Sequence, residues 1–270
     1  MTEDAVSEAL ARLDTSVPHS ARIWNYWLGG KDHFAADRLA GEQTVAVLPE
    51  IVDIARASRQ FLVRAVRYLA ADVGIRQFLD VGTGLPTAGN THEVAQGVAP
   101  ESKVVYVDND PMVLAHAHAL LVSSPEGATD YIEADARDVD KILGRAALTL
   151  DLSRPVAITM LGILPFIGND DEARGILARL LAAVPAGSYL AITHSTSEIS
   201  GARVIEAVRQ WNAVAPMPYT LRSPAQIAAF FDGLELVEPG LVPCPRWRPD
   251  PDAMSSVRDM DEYCAVGRKP

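Results

Sequence analysis

Apolar positions over roughly the first 75 residues recur at helical spacing and form no strand-like run, so this stretch predicts helices. Over Arg59–Val73, the residues Phe61, Leu62, Ala65, Val66, Leu69 and Val73 fall near one helical face. From Gln77 the period changes, and short apolar runs alternate with helical stretches. The runs Gln77–Val81, Val104–Val107, Thr129–Glu133, Val156–Met160 and Tyr189–Thr193 predict strands. Thr91–Val98, Pro111–Leu121 and Asp170–Val184 predict helices between them, and Ile199–Val214 and Pro224–Phe231 predict late helices. Several strands are apolar throughout, as expected where helices cover both faces of a sheet. The alternation argues for an α/β fold with a doubly wound, mostly parallel sheet. Leu234–Glu238 and Tyr263–Val266 predict an antiparallel pair around a Pro-rich loop, Pro239 to Pro251. The expected sheet has seven strands with an antiparallel last strand, preceded by an N-terminal helical extension over 1–75 that packs on a core of 76–270.

Composition narrows the function. Hydrophobic residues make up 49% and charged residues 22% of the 270, enough for a sizeable core. The net charge of −11 argues against a broad nucleic-acid or anionic-membrane surface. No apolar run approaches a membrane span, and Met1 to Leu13 lacks the basic-then-apolar order of a secretory signal, so a cytoplasmic protein is expected. Cys244 and Cys264 form no metal-binding or disulfide pattern. His116 and His118 stand two apart on a predicted helix and cannot share a face, so no metal is expected.

In an open α/β sheet, ligands bind beyond the carboxyl ends of the strands. The first strand runs into Asp80-Val81-Gly82-Thr83-Gly84-Leu85-Pro86-Thr87, a turn whose glycines allow close backbone approach. The second ends in Asp108-Asn109-Asp110-Pro111. Asp108 is spaced to hold ribose hydroxyls, and Asp110 before Pro111 suits a helix N-cap. After the third strand, Asp135 is placed to accept from an adenine amino group. Thr87 breaks the dinucleotide fingerprint, which disfavours a nicotinamide oxidoreductase. An acidic Asp80 suits a positively charged amino-acid end, and a sulfonium nucleoside has no phosphate to bind.

Asp80–Gly84, Asp108 and Asp135 resemble the first three motifs of class I S-adenosylmethionine-dependent methyltransferases. The segment Ala21-Arg22-Ile23-Trp24-Asn25-Tyr26-Trp27-Leu28-Gly29-Gly30-Lys31-Asp32-His33-Phe34-Ala35-Ala36-Asp37-Arg38 resembles the signature of an S-adenosyl methyltransferase family common in actinobacteria. The resemblance runs from about Ser20 to Arg268. It implies S-adenosylmethionine, or S-adenosylhomocysteine after transfer, as the cofactor. Gly82, Thr83 and Gly84 would line its methionine part, Asp108 would grip the ribose with Asn109 beside the adenine, and Asp135 and Ala136 would flank the adenine edge. Leu161 and Gly162 would lie near the methyl group. Tyr26, Gly29 and Gly30 would belong to an N-terminal lid. Trp24, Tyr26, Trp27 and Phe34 crowd into eleven residues there, a cluster able to exclude water.

Strand four leads into Leu161-Gly162-Ile163-Leu164-Pro165-Phe166, without the polar and proline residues that hold a base amine in nucleic-acid amino-methylating enzymes. The expected acceptor is therefore a small molecule, methylated on oxygen or a carboxyl group, with no nucleic-acid or membrane partner. Its pocket is expected between the N-terminal segment and the loops Ser195–Ser200 and Pro216–Ser223, with Phe166 and Tyr219 in the wall. His194, after strand five, is the candidate base. A non-catalytic protein that retains the cofactor pocket is the alternative.

Overall fold

The structure, a computed structural model, describes residues 13–113, 123–250 and 258–270. Among the described residues, three helices come first: α1 (Ser20–Trp27), α2 (Ala35–Val47) and α3 (Ile51–Tyr68). α3 starts eight residues before the expected apolar stripe, buries Ile54, Phe61, Leu62, Ala65 and Val66, and continues as a π-helical turn to Val73. Gly74, at φ 85°, ends it, since a left-handed residue closes a helix there without a Cβ clash.

The strands follow as β1 (Gln77–Val81), β2 (Lys103–Asp108), β3 (Ala128–Glu133), β4 (Ala157–Leu161), β5 (Tyr189–Ser195), β6 (Glu235–Leu236), β7 (Val242–Pro243) and β8 (Glu262–Arg268). Between and after them lie α4 (Thr91–Val98), α5 (Val139–Ala146), α6 (Asp170–Ala182), α7 (Ala202–Val214) and α8 (Pro224–Ala228). The sheet order is β3-β2-β1-β4-β5-β8-β6, with β7 also on β8. β1 to β5 are parallel, and β8 runs antiparallel to β5 from Tyr189↔Arg268 to Ser195↔Glu262. The fold is the α/β class expected, with eight strands instead of seven. The extra strand is two residues of the Pro-rich loop, Val242 and Pro243, laid against Cys264 and Tyr263. Asp110 caps the helix expected at Pro111, its Oδ1 accepting from the Met112 amide at 2.9 Å. Residues 114–122, with His116 and His118 and most of the helix expected over Pro111–Leu121, lie outside the described residues, as do the first twelve residues.

Alternation along each strand divides the core. Leu79, Val81, Val105, Val107, Ile158 and Met160 face α5 and α6. Phe78, Val104, Tyr106, Ala157 and Val266 face the opposite way, against α3, Ala95 of α4 and Trp247. α1 and α2 meet α3 through Ile23, Trp27, Ala40 and Ala55. Leu48 and Ile54 pack on Val204 and Ala207 of α7. The N-terminal helices and α7 thus stand over the carboxyl ends of the strands, where the strand order reverses between β1 and β4.

Candidate active site

A cavity of about 180 Å3 occupies that place. A single water needs roughly 10–15 Å3 on the same scale, so the space is ligand-sized. The strand ends supply Asp80, Gly82, Thr83, Gly84, Asp108, Asn109, Leu161 and Gly162. A narrower slot of about 30 Å3 adjoins it, walled by Asn109, Ala134, Asp135 and Ala136. Gly82, Asp108, Asn109, Ile163, Phe166 and Met217 line both, so the two spaces are continuous.

The glycine turn is held by its neighbours. The amides of Gly82 and Thr83 donate to the Val107 carbonyl at 2.8 and 3.2 Å, and the Gly84 amide donates to Asp108 Oδ2 at 2.7 Å. Gly82 sits at φ 76°, and a Cβ there would lie 2.8 Å from Ile163 Cβ. Gly84, at φ 67°, has nothing within 4 Å of its Cβ position and so opens to the cavity.

Asp108 is buried, which pushes its carboxyl above the usual carboxylate range, against the two amides that stabilise the charge. Its oxygens accept from Gly84 and from the Asp110 amide at 3.0 Å. A carboxylate has about four acceptor sites, so about two remain for a vicinal pair of hydroxyls. Asp80 accepts from Thr91 at 2.6 Å, Thr159 at 2.7 Å and Thr83 at 3.5 Å. Burial raises its carboxyl too, and the three hydroxyls and Arg59 oppose the rise. Arg59, on the same cavity wall, bonds Asn90 Oδ1 at 2.8 Å and the carbonyls of Thr87 and Ala88. An acid and a guanidinium beside one glycine turn match a zwitterionic amino-acid end. The donor set therefore fits an adenosyl amino acid: open backbone at Gly84, acceptors for two hydroxyls at Asp108, and paired charges at Asp80 and Arg59.

Several expected residues lie elsewhere. Asp135 borders the narrow slot, but its carboxylate accepts from the Arg137 amide at 2.8 Å and pairs with the Arg137 guanidinium at 3.3 Å. Tyr26, Gly29 and Gly30 are not in the cavity wall. The amides of Gly29 and Gly30 donate back to the Tyr26 and Asn25 carbonyls, a Schellman ending of α1, and Tyr26 packs on His33 and Gly41. α1 and its C-cap instead present Ala21, Trp24, Asn25 and Leu28 to the cavity. The glycines act indirectly: a Cβ on Gly30 would sit 2.3 Å from the Asn25 amide group, so only glycine lets Asn25 hold its place.

His194 is likewise outside the cavity and fully buried. Its Nδ1 lies 2.8 Å from the Ser195 carbonyl and its Nε2 2.8 Å from Arg222 Nη1. Arginine only donates, so Nε2 accepts and the Nδ1 proton goes to the carbonyl. Burial, reinforced by the Arg222 charge, lowers its pKa to about 3. With both nitrogens committed, His194 is not placed to take a proton from an acceptor. Phe166 and Tyr219 do line the cavity, with Ser195, Trp211 and Leu221. The sequence reading gave no site role to Asn25, Ser58, Arg59, Trp211 or Asp261, which line the wall; Asn25 stands in the quoted signature, and the others sit inside helices or just before β8 and carry no motif.

A doubly wound sheet with this cavity at its switch point, a glycine turn after β1 and a buried acid at the end of β2 define a class I S-adenosylmethionine-dependent methyltransferase. The family model described as S-adenosyl methyltransferase matches residues 6–270, and the chain belongs to that family. A DUF574 family protein of Streptomyces avermitilis is 49% identical, with a TM-score of 0.92 over 96% of this chain and 100% of that one. A Thermobifida fusca structure, whose description gives methyltransferase as its candidate activity, is 38% identical with a TM-score of 0.87 over 95% and 96%. A Burkholderia thailandensis O-methyltransferase family protein, 14% identical with a TM-score of 0.53 over 98% of this chain and 67% of that one, shares the fold. The search of curated proteins finds no match.

Proposed function

We propose that this methyltransferase acts on oxygen, as a hydroxyl or carboxyl group, of a small acceptor with an apolar body. The observation that carries the reading is the continuity of one cavity from Gly84 and Asp108 to a wall of Trp24, Ile51, Phe166, Trp211 and Tyr219. That wall is aromatic and aliphatic, which suits an acceptor's apolar body and offers no basic surface for a polyanion. Bound S-adenosylmethionine supplies an electrophilic methyl group on a sulfonium. Asp108 would hold the ribose, Asp80 and Arg59 the amino-acid end, and Asn109 and Ala136 the adenine. The acceptor would then lie between α1, α7 and the ends of β4 and β5. Holding nucleophile and methyl group in line can supply much of the rate, without a dedicated base. The apolar lid of α1 would exclude water, which otherwise competes as nucleophile. The two buried free thiols, Cys244 and Cys264, support a reducing, cytoplasmic setting.

The test is transfer of labelled methyl from S-adenosylmethionine to panels of small phenols, carboxylic acids, amines and oligonucleotides. Label on phenols or acids is the expected outcome. Label confined to amines or oligonucleotides would overturn the acceptor class.

A further inference from the structure

Ser195 ends β5 and Glu262 begins β8, directly opposite each other across the antiparallel pair. Ser195 Oγ donates to Glu262 Oε2 at 2.6 Å. The same oxygen lies 2.6 Å from Tyr219 Oη. A hydroxyl carries one proton, and that of Ser195 is already given to the carboxylate, so Tyr219 must be the donor to Ser195. The protons of this chain therefore all point one way, from Tyr219 through Ser195 to Glu262. Its outer members, Tyr219 and Ser195, line the acceptor half of the cavity. Its inner member is 1% exposed, and Glu262 Oε1 makes no hydrogen bond.

We propose that Tyr219, Ser195 and Glu262 form a proton relay that takes the acceptor's proton during methyl transfer, with Glu262 as the terminal base. The inference rests on the reading that the acceptor occupies the cavity beside Tyr219. Other candidate groups hold structural bonds instead. His194 is sealed behind Arg222. Asp261, also in the wall, anchors the loop after β5 by accepting from the amides of Ile199 and Ser200 at 2.8 and 2.6 Å, and no hydroxyl links it to Tyr219. Asp80 is held by three hydroxyls at the opposite wall.

The surroundings of Glu262 poise it as a base. Burial raises its carboxyl to about 7; the hydroxyls of Ser195 and Thr193 lower it, and the neighbouring Asp261 charge adds to the rise. The other titratable groups facing it are Tyr219 and Cys244. From α3, Arg59 bonds Asn90 and Arg64 bonds the carbonyls of Cys244 and Trp247, so neither guanidinium is hydrogen-bonded to Glu262. A base near neutrality combines a useful ionised fraction with enough basicity.

In the step, the acceptor hydroxyl donates to Tyr219 Oη. As its oxygen bonds the methyl carbon, the carbon–sulfur bond breaks and that electron pair stays on sulfur. The acceptor proton passes to Tyr219, the Tyr219 proton to Ser195, and the Ser195 proton to Glu262 Oε2. A sulfonium and a carboxylate become a thioether and a carboxylic acid, so charge balances. The acid returns its proton to water after product leaves.

The test is an infrared titration of carboxyl groups in the full chain loaded with S-adenosylhomocysteine, followed by addition of 4-nitrophenol as an acidic probe. One carboxyl should titrate near 7 in the wild type and vanish from that range in Glu262→Gln. Ser195→Ala, which keeps the acid, should move its midpoint upward by losing a bond that favours the carboxylate. Near neutral pH, the probe should bind partly as phenolate while the protonated-carboxyl band grows; Tyr219→Phe should bind the probe without either change. A Glu262 midpoint in the ordinary range below about 5, an unmoved midpoint in Ser195→Ala, or a probe that does not bind or binds without gain of protonated carboxyl overturns the relay. Calorimetry separates the two readings. Failure to bind S-adenosylhomocysteine would remove the methyl-transfer assignment and leave the titration interpretable, whereas binding without a near-neutral carboxyl removes the relay alone.

Discussion

His194 and Glu262 lie one register step apart on neighbouring strands and are shifted in opposite senses by the same cause, burial. The folded histidine stays neutral down to about 3, whereas in an unfolded chain it takes a proton near the ordinary imidazole value of 6.5. The unfolded state then binds more protons across that window, so the contribution is whole above 6.5 and is lost as pH falls toward 3. For Glu262 the folded value of about 7 lies above the ordinary glutamate value of 4.5, so its contribution is present below 4.5 and is lost as pH rises through 7. Urea unfolding of the wild type and His194→Gln, below the histidine's unfolded value, should show their stability gap shrinking by up to about 1.4 kcal/mol per pH unit of acidification. A gap that stays constant would show that His194 titrates normally. For Asp108→Ala, loss of a charge-assisted hydrogen bond should weaken S-adenosylhomocysteine binding by about 1.5–3 kcal/mol in calorimetry. Unchanged affinity would refute the ribose assignment.

At the scale of elements, α1 is tied to the sheet by charge as well as by apolar packing. Arg22 Nε donates to Asp110 Oδ2 at 3.1 Å, both residues buried, and the same guanidinium reaches the Asp14 carbonyl at 3.2 Å. Asp110 is thus the cap of the helix after β2 and the anchor of α1. Removing one partner of a buried pair typically costs about 3–5 kcal/mol, because the other charge is left unpaired. Arg22→Ala should therefore lower the melting temperature, and a melting temperature equal to that of the wild type would contradict the anchor. Deleting residues up to Arg38 strips Trp24 and Leu28 from the cavity and uncovers the apolar Leu85 and Met112 patch, against which Ala21 and Phe34 pack. The shortened protein should aggregate or bind S-adenosylhomocysteine weakly; a soluble form with normal affinity would show that the segment is dispensable.

For the whole molecule, the cavity is assembled from three bodies that touch: the strand ends, the α1–α3 group, and α7 with the loop that follows it. Ligand bound between them stabilises all three contacts at once. At one hundred times its dissociation constant, a ligand bound only by the folded state adds about 2.7 kcal/mol. S-adenosylhomocysteine should accordingly raise the melting temperature by roughly 5–10 °C, since each kcal/mol is worth about 2–4 °C in a chain near this size. Equal shifts with a nicotinamide dinucleotide would argue against the adenosyl-sulfur assignment.

The order of strands and helices, the glycine turn and the acids at the ends of β1 and β2 were legible in the sequence because they depend on local rules: alternation of apolar residues, positive φ at glycine, and a polar residue placed where a strand ends. Asp80, Gly82, Gly84 and Asp108 meet in one cavity because adjacent parallel strands end together. Which face of α1 turns inward was not local. Tyr26 and Gly29 are as conspicuous in the sequence as Trp24, and packing on α2 and α3 turns them away. Whether His194 would be a base or a buried acceptor depended on Arg222, 28 residues further along the chain. Glu262 faces Ser195 because β8 runs antiparallel along β5, and that long-range register, unlike a motif, leaves no signature in the residues on either side of it.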